Sequence, residues 1–173
     1  AVGYCDRSAR RATAVAGGVY MTEVAEKQST EIEIPMTDRV KALKTELLKM
    51  EQIELPTDHL FHGGMYCRQV WRPAGCTIVG KVHKKEHFYF VMAGTVVVTT
   101  DDGMQELTAP AMLCSKPGTQ RAVYAVTDAM CMTIHRADST TVEAAADELV
   151  EDDPDSAFDA MNNLKDKLIE VSK

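Results

Sequence analysis

Between Met65 and His135 the chain is a succession of short runs rich in Val, Ile, Thr, Phe and Tyr, each ended by Pro, Gly or Asp. Runs of that length and composition form strands, and the punctuation stops any of them growing into a helix. The expected strands are Met65–Arg72, Thr77–His83, His87–Met92, Thr95–Thr100, Met104–Leu107, Ala111–Cys114, Arg121–Val126 and Met130–His135. Asp101-Asp102-Gly103 reads as a tight hairpin. Short strands in this number bury their apolar faces only as a sandwich or a small barrel, and closure also removes exposed edges.

The flanks read differently. Residues 1–35 are expected to be a disordered leader and linker: the first twenty are Ala- and Gly-rich with Arg7, Arg10 and Arg11 and no apolar period, and Met21 is a natural start. Residues 36–56 are expected to hold an N-terminal helix, capped by Thr37 or Asp38, with Val40, Leu43, Leu47 and Leu48 on one face. The barrel is placed at 57–137. Residues 138–173 are read as an acidic helical extension, with helices over Ala144–Glu151 and Ala157–Val171 broken by Asp153-Pro154. That extension has 11 acidic and 3 basic residues out of a net charge of −7, so the rest of the chain is near neutral. Without clustered Lys and Arg, a nucleic-acid surface is not expected, and no run is long enough to cross a bilayer as a helix. The five cysteines form no CxxC pair and are expected to be reduced, which points to a cytoplasmic setting.

The stretch GCTIVGKVHKKEHFYFVMAG, Gly75–Gly94, holds two of the five histidines. Its spacing resembles the first motif of the cupin superfamily, G-x5-H-x-H-x3,4-E-x6-G. Anchored on the two glycines, that motif puts its first His at Lys81, its second at His83 and its Glu at His87. The second cupin motif is similar to Ser115–Arg121, with Arg121 at the family's His position. The resemblance implies a mainly β fold, a cupin-like jelly-roll barrel with helical N- and C-terminal extensions. The phrases GKVHKKEHFYFVMAGTVVV, DDG, SKPGTQRAVYA and MTIH are also similar to small cupin-like proteins of tailed phages and prophages, which implies that His83, Glu86, His87 and His135 belong together and allows a virion-associated role.

Side chains alternate across a strand, so Thr77, Val79, Lys81 and His83 share a face, as do His87, Tyr89 and Val91. In a closed barrel Lys81, His83, His87, Tyr89 and Arg121 would point into the lumen, and His135 would join them from the last strand. Three readings stay open. His83, His87 and His135 hold a divalent metal (Zn, Fe, Ni or Mn) with coordination positions left free. Alternatively Lys81, Tyr89 and Arg121 hold a small anionic ligand without a metal. In the third, the protein is a non-enzymatic structural or interaction protein and the barrel is a scaffold. His83–His87 also spells H-x-x-E-H, but zinc-peptidase chemistry needs that pattern on a helix, and the flanks here are strand-forming. A homodimer or larger homo-oligomer is expected through the apolar stripe of the last helix. Whether the chain is an enzyme does not follow from these residues.

Overall fold

The computed structural model describes residues 2–5 and 34–165. Among these described residues, ten strands form two antiparallel five-stranded sheets. They are β1 (Val2–Cys5), β2 (Thr57–His62), β3 (Met65–Arg72), β4 (Cys76–Val79), β5 (His87–Ala93), β6 (Thr95–Thr100), β7 (Gly103–Thr108), β8 (Ala111–Ser115), β9 (Ala122–Ala125) and β10 (Ala129–Arg136). The first sheet runs β1-β4-β9-β6-β7 and the second β2-β3-β10-β5-β8. Strands β6 and β7 pair around the Asp101-Asp102 turn, β5 with β8 outside them, then β4 with β9 and β3 with β10. This nesting is one long antiparallel hairpin rolled up so that successive pairs alternate between sheets, the jelly-roll arrangement expected from the sequence.

Between the sheets, Val91, Val96, Val98, Val123 and Cys131 make an apolar core at one end. Helix α1 (Met36–Leu47) lies on the outer face of the first sheet, where Val40 and Leu47 pack on Val2, Val79 and Ala122. Helix α2 (Val142–Leu149), capped by Thr141, buries Ala145 and Leu149 against Tyr66 and Ala137. Both terminal extensions therefore carry a helix. Among the described residues no helix is long and apolar enough to cross a membrane.

Several expectations need correcting. The start of the presumed leader is part of the fold: β1 pairs residue for residue with β4, and Cys5 is joined to its partner Cys76, so these two cysteines are not the free thiols expected. Residues 6–33 of that leader lie outside the described residues. Helix α1 ends at Leu47, short of 56, and begins at Pro35 without a side-chain cap. No helix forms over residues 157–164. Ser156 Oγ accepts from Phe158 N (3.2 Å) and Asp159 Oδ1 accepts from Asn163 N (2.8 Å), and local bonds of this kind compete with helical ones. Asn162 at φ 73 completes a turn that bridges Phe158 to Leu164. Phe158 of the expected apolar stripe is buried within this chain, Met161 is exposed, and Leu168 and Ile169 lie outside the described residues. The remainder of that expected helix, residues 166–171, lies outside the described residues.

Candidate metal centre

The polar end of the space between the sheets is a cavity of about 160 Å³. His87 is the first residue of β5 and pairs with Ser115 of β8. On β10 the register Ile134–Phe88, continued by one residue, sets His135 beside His87 on the inward face. His83 reaches the same place from an irregular segment. Gly80 N and His83 N donate to the carbonyls of Arg121 and Thr119 (3.0 and 3.1 Å), while Gly118 N donates back to His83 O (2.8 Å). From the other side, the residues after α2 add an edge: Lys84 N donates to Leu149 O, Glu151 N donates to Val82 O, and Val150 bridges His83. Lys85 and Glu148 pair across the same junction. The C-terminal extension thus clamps the loop that carries His83.

The three rings lie close together, with centroids 4.0 Å apart for His83–His87, 4.5 Å for His87–His135 and 5.1 Å for His83–His135. One ring nitrogen from each falls within 4.8 Å of the others. Tetrahedral ligands at zinc distances sit about 3.4 Å apart, so rotamer adjustments of about 0.7 Å per ring suffice to enclose an ion. The donor set fits. His87 Nδ1 lies 3.3 Å from Lys85 O, an acceptor only, so the proton is on Nδ1 and the lone pair is on Nε2. The Nδ1 atoms of His83 and His135 are buried and have no hydrogen-bond partner among the described residues, a costly state unless a cation takes up the lone pairs.

Burial holds all three imidazoles neutral. It lowers His83 to about 2, helped by His87, His135, Arg68 and Arg121. His135 falls to about 3, from burial first and then His87 and Arg68. His87 is lowered by burial, opposed by the Lys85 carbonyl. Neutral imidazole is the form that ligates.

Lys81, Tyr89 and Arg121 also border the cavity. Arg121 is held in place, with Nε and Nη2 donating to Ser115 Oγ (3.3 and 3.1 Å) and Nη1 to Thr99 O (2.8 Å). Tyr89 is buried and its hydroxyl accepts from Arg72 Nη1 at 3.1 Å. Glu86 is exposed and stands outside the cluster. Parity along the expected strand Thr77–His83 fails. Val79 packs outward under α1 and it is Ile78 that borders the cavity; Lys81 and His83 reach the lumen because β4 stops at Val79 and the chain resets its facing at Gly80.

Strand β3 carries residues that the motifs do not mark. Tyr66, Arg68, Val70 and Arg72 alternate inward and all border the cavity. Arg68 Nη2 donates to Asn162 Oδ1 (3.0 Å), and Arg72 is buried. The signal was present in the sequence as two arginines on the same period-2 face as Val70.

No protein-family model matches the chain, and no curated protein matches it. Among solved structures it is similar to the cupin domain of Cnp3 from Schizosaccharomyces pombe, with TM-score 0.43 and 16% identity over 49% of this chain and 61% of that one. A cupin superfamily protein from Desulfitobacterium hafniense gives TM-score 0.44 and 14% identity over 67% of this chain and 100% of that one. Salicylate 1,2-dioxygenase from Pseudoaminobacter salicylatoxidans gives TM-score 0.45 and 12% identity over 58% and 31%. This chain therefore spans 61% of the first and 31% of the third.

Proposed function

We propose that this cupin-like barrel binds one divalent metal ion in its lumen through His83, His87 and His135. The observation that carries the reading is the set of three converging neutral imidazoles, two of them with a buried Nδ1 that nothing among the described residues matches. An all-imidazole set suits Zn, Fe or Ni better than Mn, which favours oxygen ligands. Three protein ligands leave coordination positions free, and a metal held so supplies Lewis acidity to whatever small molecule enters.

The chain's own residues prepare the rest of the chamber. Ser115 and Thr99 keep Arg121 beside the histidines, the Lys85 carbonyl orients His87, and Phe158 with Asn162 closes one wall. Lys81, Tyr89 and Arg121 support the expectation of an anionic small molecule. The phage-like sequence phrases support a phage-encoded protein. Elemental analysis of protein purified without a His tag tests the metal reading. About one metal per chain is expected, falling to background in His83→Ala, His87→Ala and His135→Ala. Sub-stoichiometric metal, unchanged in these variants, refutes it.

A further inference from the structure

The charges around the cavity do not balance. Among the described residues its wall carries Lys81, Arg68, Arg72 and Arg121 but only one carboxylate, Asp159. Asp159 is already committed: Oδ1 accepts from Asn163 N (2.8 Å) and Oδ2 from Asn163 Nδ2 (3.2 Å). Each guanidinium has five donors, yet Arg68 has one neutral acceptor, Asn162 Oδ1, and Arg72 has one, Tyr89 Oη. Arg72 is 7% exposed, and its Nε is buried without any partner. Neutral imidazoles bring no negative charge either, and a divalent ion among them would deepen the imbalance. A buried cation without a counter-charge is strongly unfavourable, so the arrangement makes physical sense around an anion.

We propose that the lumen accommodates a small carboxylate whose head is anchored by Arg68, with Arg72 behind it on β3, next to the histidine cluster. The proposal rests on the lumen being a binding chamber, as in the metal reading above, and adds the class of molecule it takes. The planar fork of a guanidinium matches a carboxylate bidentately. Ile53, Leu55, Ile78, Val70 and Val123 give the wall a large apolar share, which suits a short uncharged body more than a phosphate, which needs donors on all sides. A cavity of about 160 Å³ is close to the size that holds benzene, so the ligand has about six to nine non-hydrogen atoms.

The test is thermal melting of the full chain with butyrate, valerate, hexanoate and benzoate, each against its neutral amide, and with inorganic phosphate. At least one carboxylate should raise Tm by about 5–10 °C at a hundredfold excess over its Kd, with no shift from the amide. Arg68→Met should abolish the shift while keeping wild-type metal content, which separates this proposal from the metal reading. Should that variant fail to fold, side-chain NMR of the arginines in the wild type reads the same contact, and the Arg68 signals should move on adding the carboxylate. No shift from any of the four carboxylates overturns the proposal. A response to phosphate alone overturns the ligand class, and a shift that survives in Arg68→Met overturns the anchor.

Discussion

Acidifying the metal-free protein probes the site directly, because burial keeps His83 and His135 neutral far below the ordinary imidazole range, at about 2 and about 3. In the unfolded chain the same groups titrate near 6.5. With the folded values depressed, the unfolded state binds more protons below pH 6.5. The stability these groups contribute is therefore full above about pH 6.5 and is lost progressively as pH falls toward their folded values. Between pH 7.5 and 5.5 each histidine costs about 1.4 kcal/mol, and the two together about 2.7 kcal/mol. The figure hardly depends on the folded values as long as they lie well under 5. For a chain of this size it corresponds to a drop in Tm of about 5–10 °C. The assay is urea or thermal unfolding in EDTA at half-unit pH steps, reading the slope of stability against pH. His83→Asn with His135→Asn should remove about one proton from that slope on average between pH 7.5 and 5.5, rising toward two at the acid end, which no loss of packing alone would do. An unchanged slope in the double variant, or a flat wild-type profile from pH 7.5 to 5.5, refutes the burial argument. With metal bound, the gap in Tm over the metal-free protein should hold about constant from pH 7.5 to 5.5, since the folded His83 and His135 carry no proton there for the metal to displace.

Gly94 sits at φ +76, and a Cβ there would lie 2.1 Å from Asp128 O and 2.8 Å from Thr127 Oγ1. Gly94→Ala should cost at least about 2 kcal/mol in chemical unfolding, and a loss under 1 kcal/mol would show that this turn can move aside. The outward face of the second sheet supplies a different basis for the expected oligomer. Leu60, Trp71, Phe88, Met92 and Met112 are 44–60% exposed there, and its central positions carry no charge. Five strands of about five residues make a face of about 400 Å², an apolar patch of the size that is often functional, and a two-fold pairing would match it with its own copy. We propose a two-fold homodimer through this face. Sedimentation should give a dimer at micromolar concentration and a monomer for Phe88→Glu, with metal content unchanged. A wild-type monomer at that concentration refutes this pairing.

The strand runs, their turn residues and the two histidines near Gly94 were legible in the sequence because they depend on local chemistry: β-branched runs pleat, and Gly or Asp-Gly turns them. Inward parity on β10 was legible for His135 for the same reason, since that strand is regular from Cys131 onward, past the bulge at Met130. What lay beyond local reasoning were long-range pairings. Val2–Cys5 has no strand signal of its own and becomes a strand only because β4 offers an open edge. The facing of Lys81 and His83 depends on where β4 breaks, which is decided by the Thr119, Arg121 and Val150 contacts. The expected helix at 157–171 gave way over 157–164 to side-chain bonds from Ser156 and Asp159, with Leu164 N held by Glu54 Oε1, 110 residues away. The sequence alone determined that a β barrel would carry histidines. Only the tertiary structure decided that three of them converge among unmatched arginines, because convergence depends on register between strands far apart in the chain, and residue types do not encode that one by one.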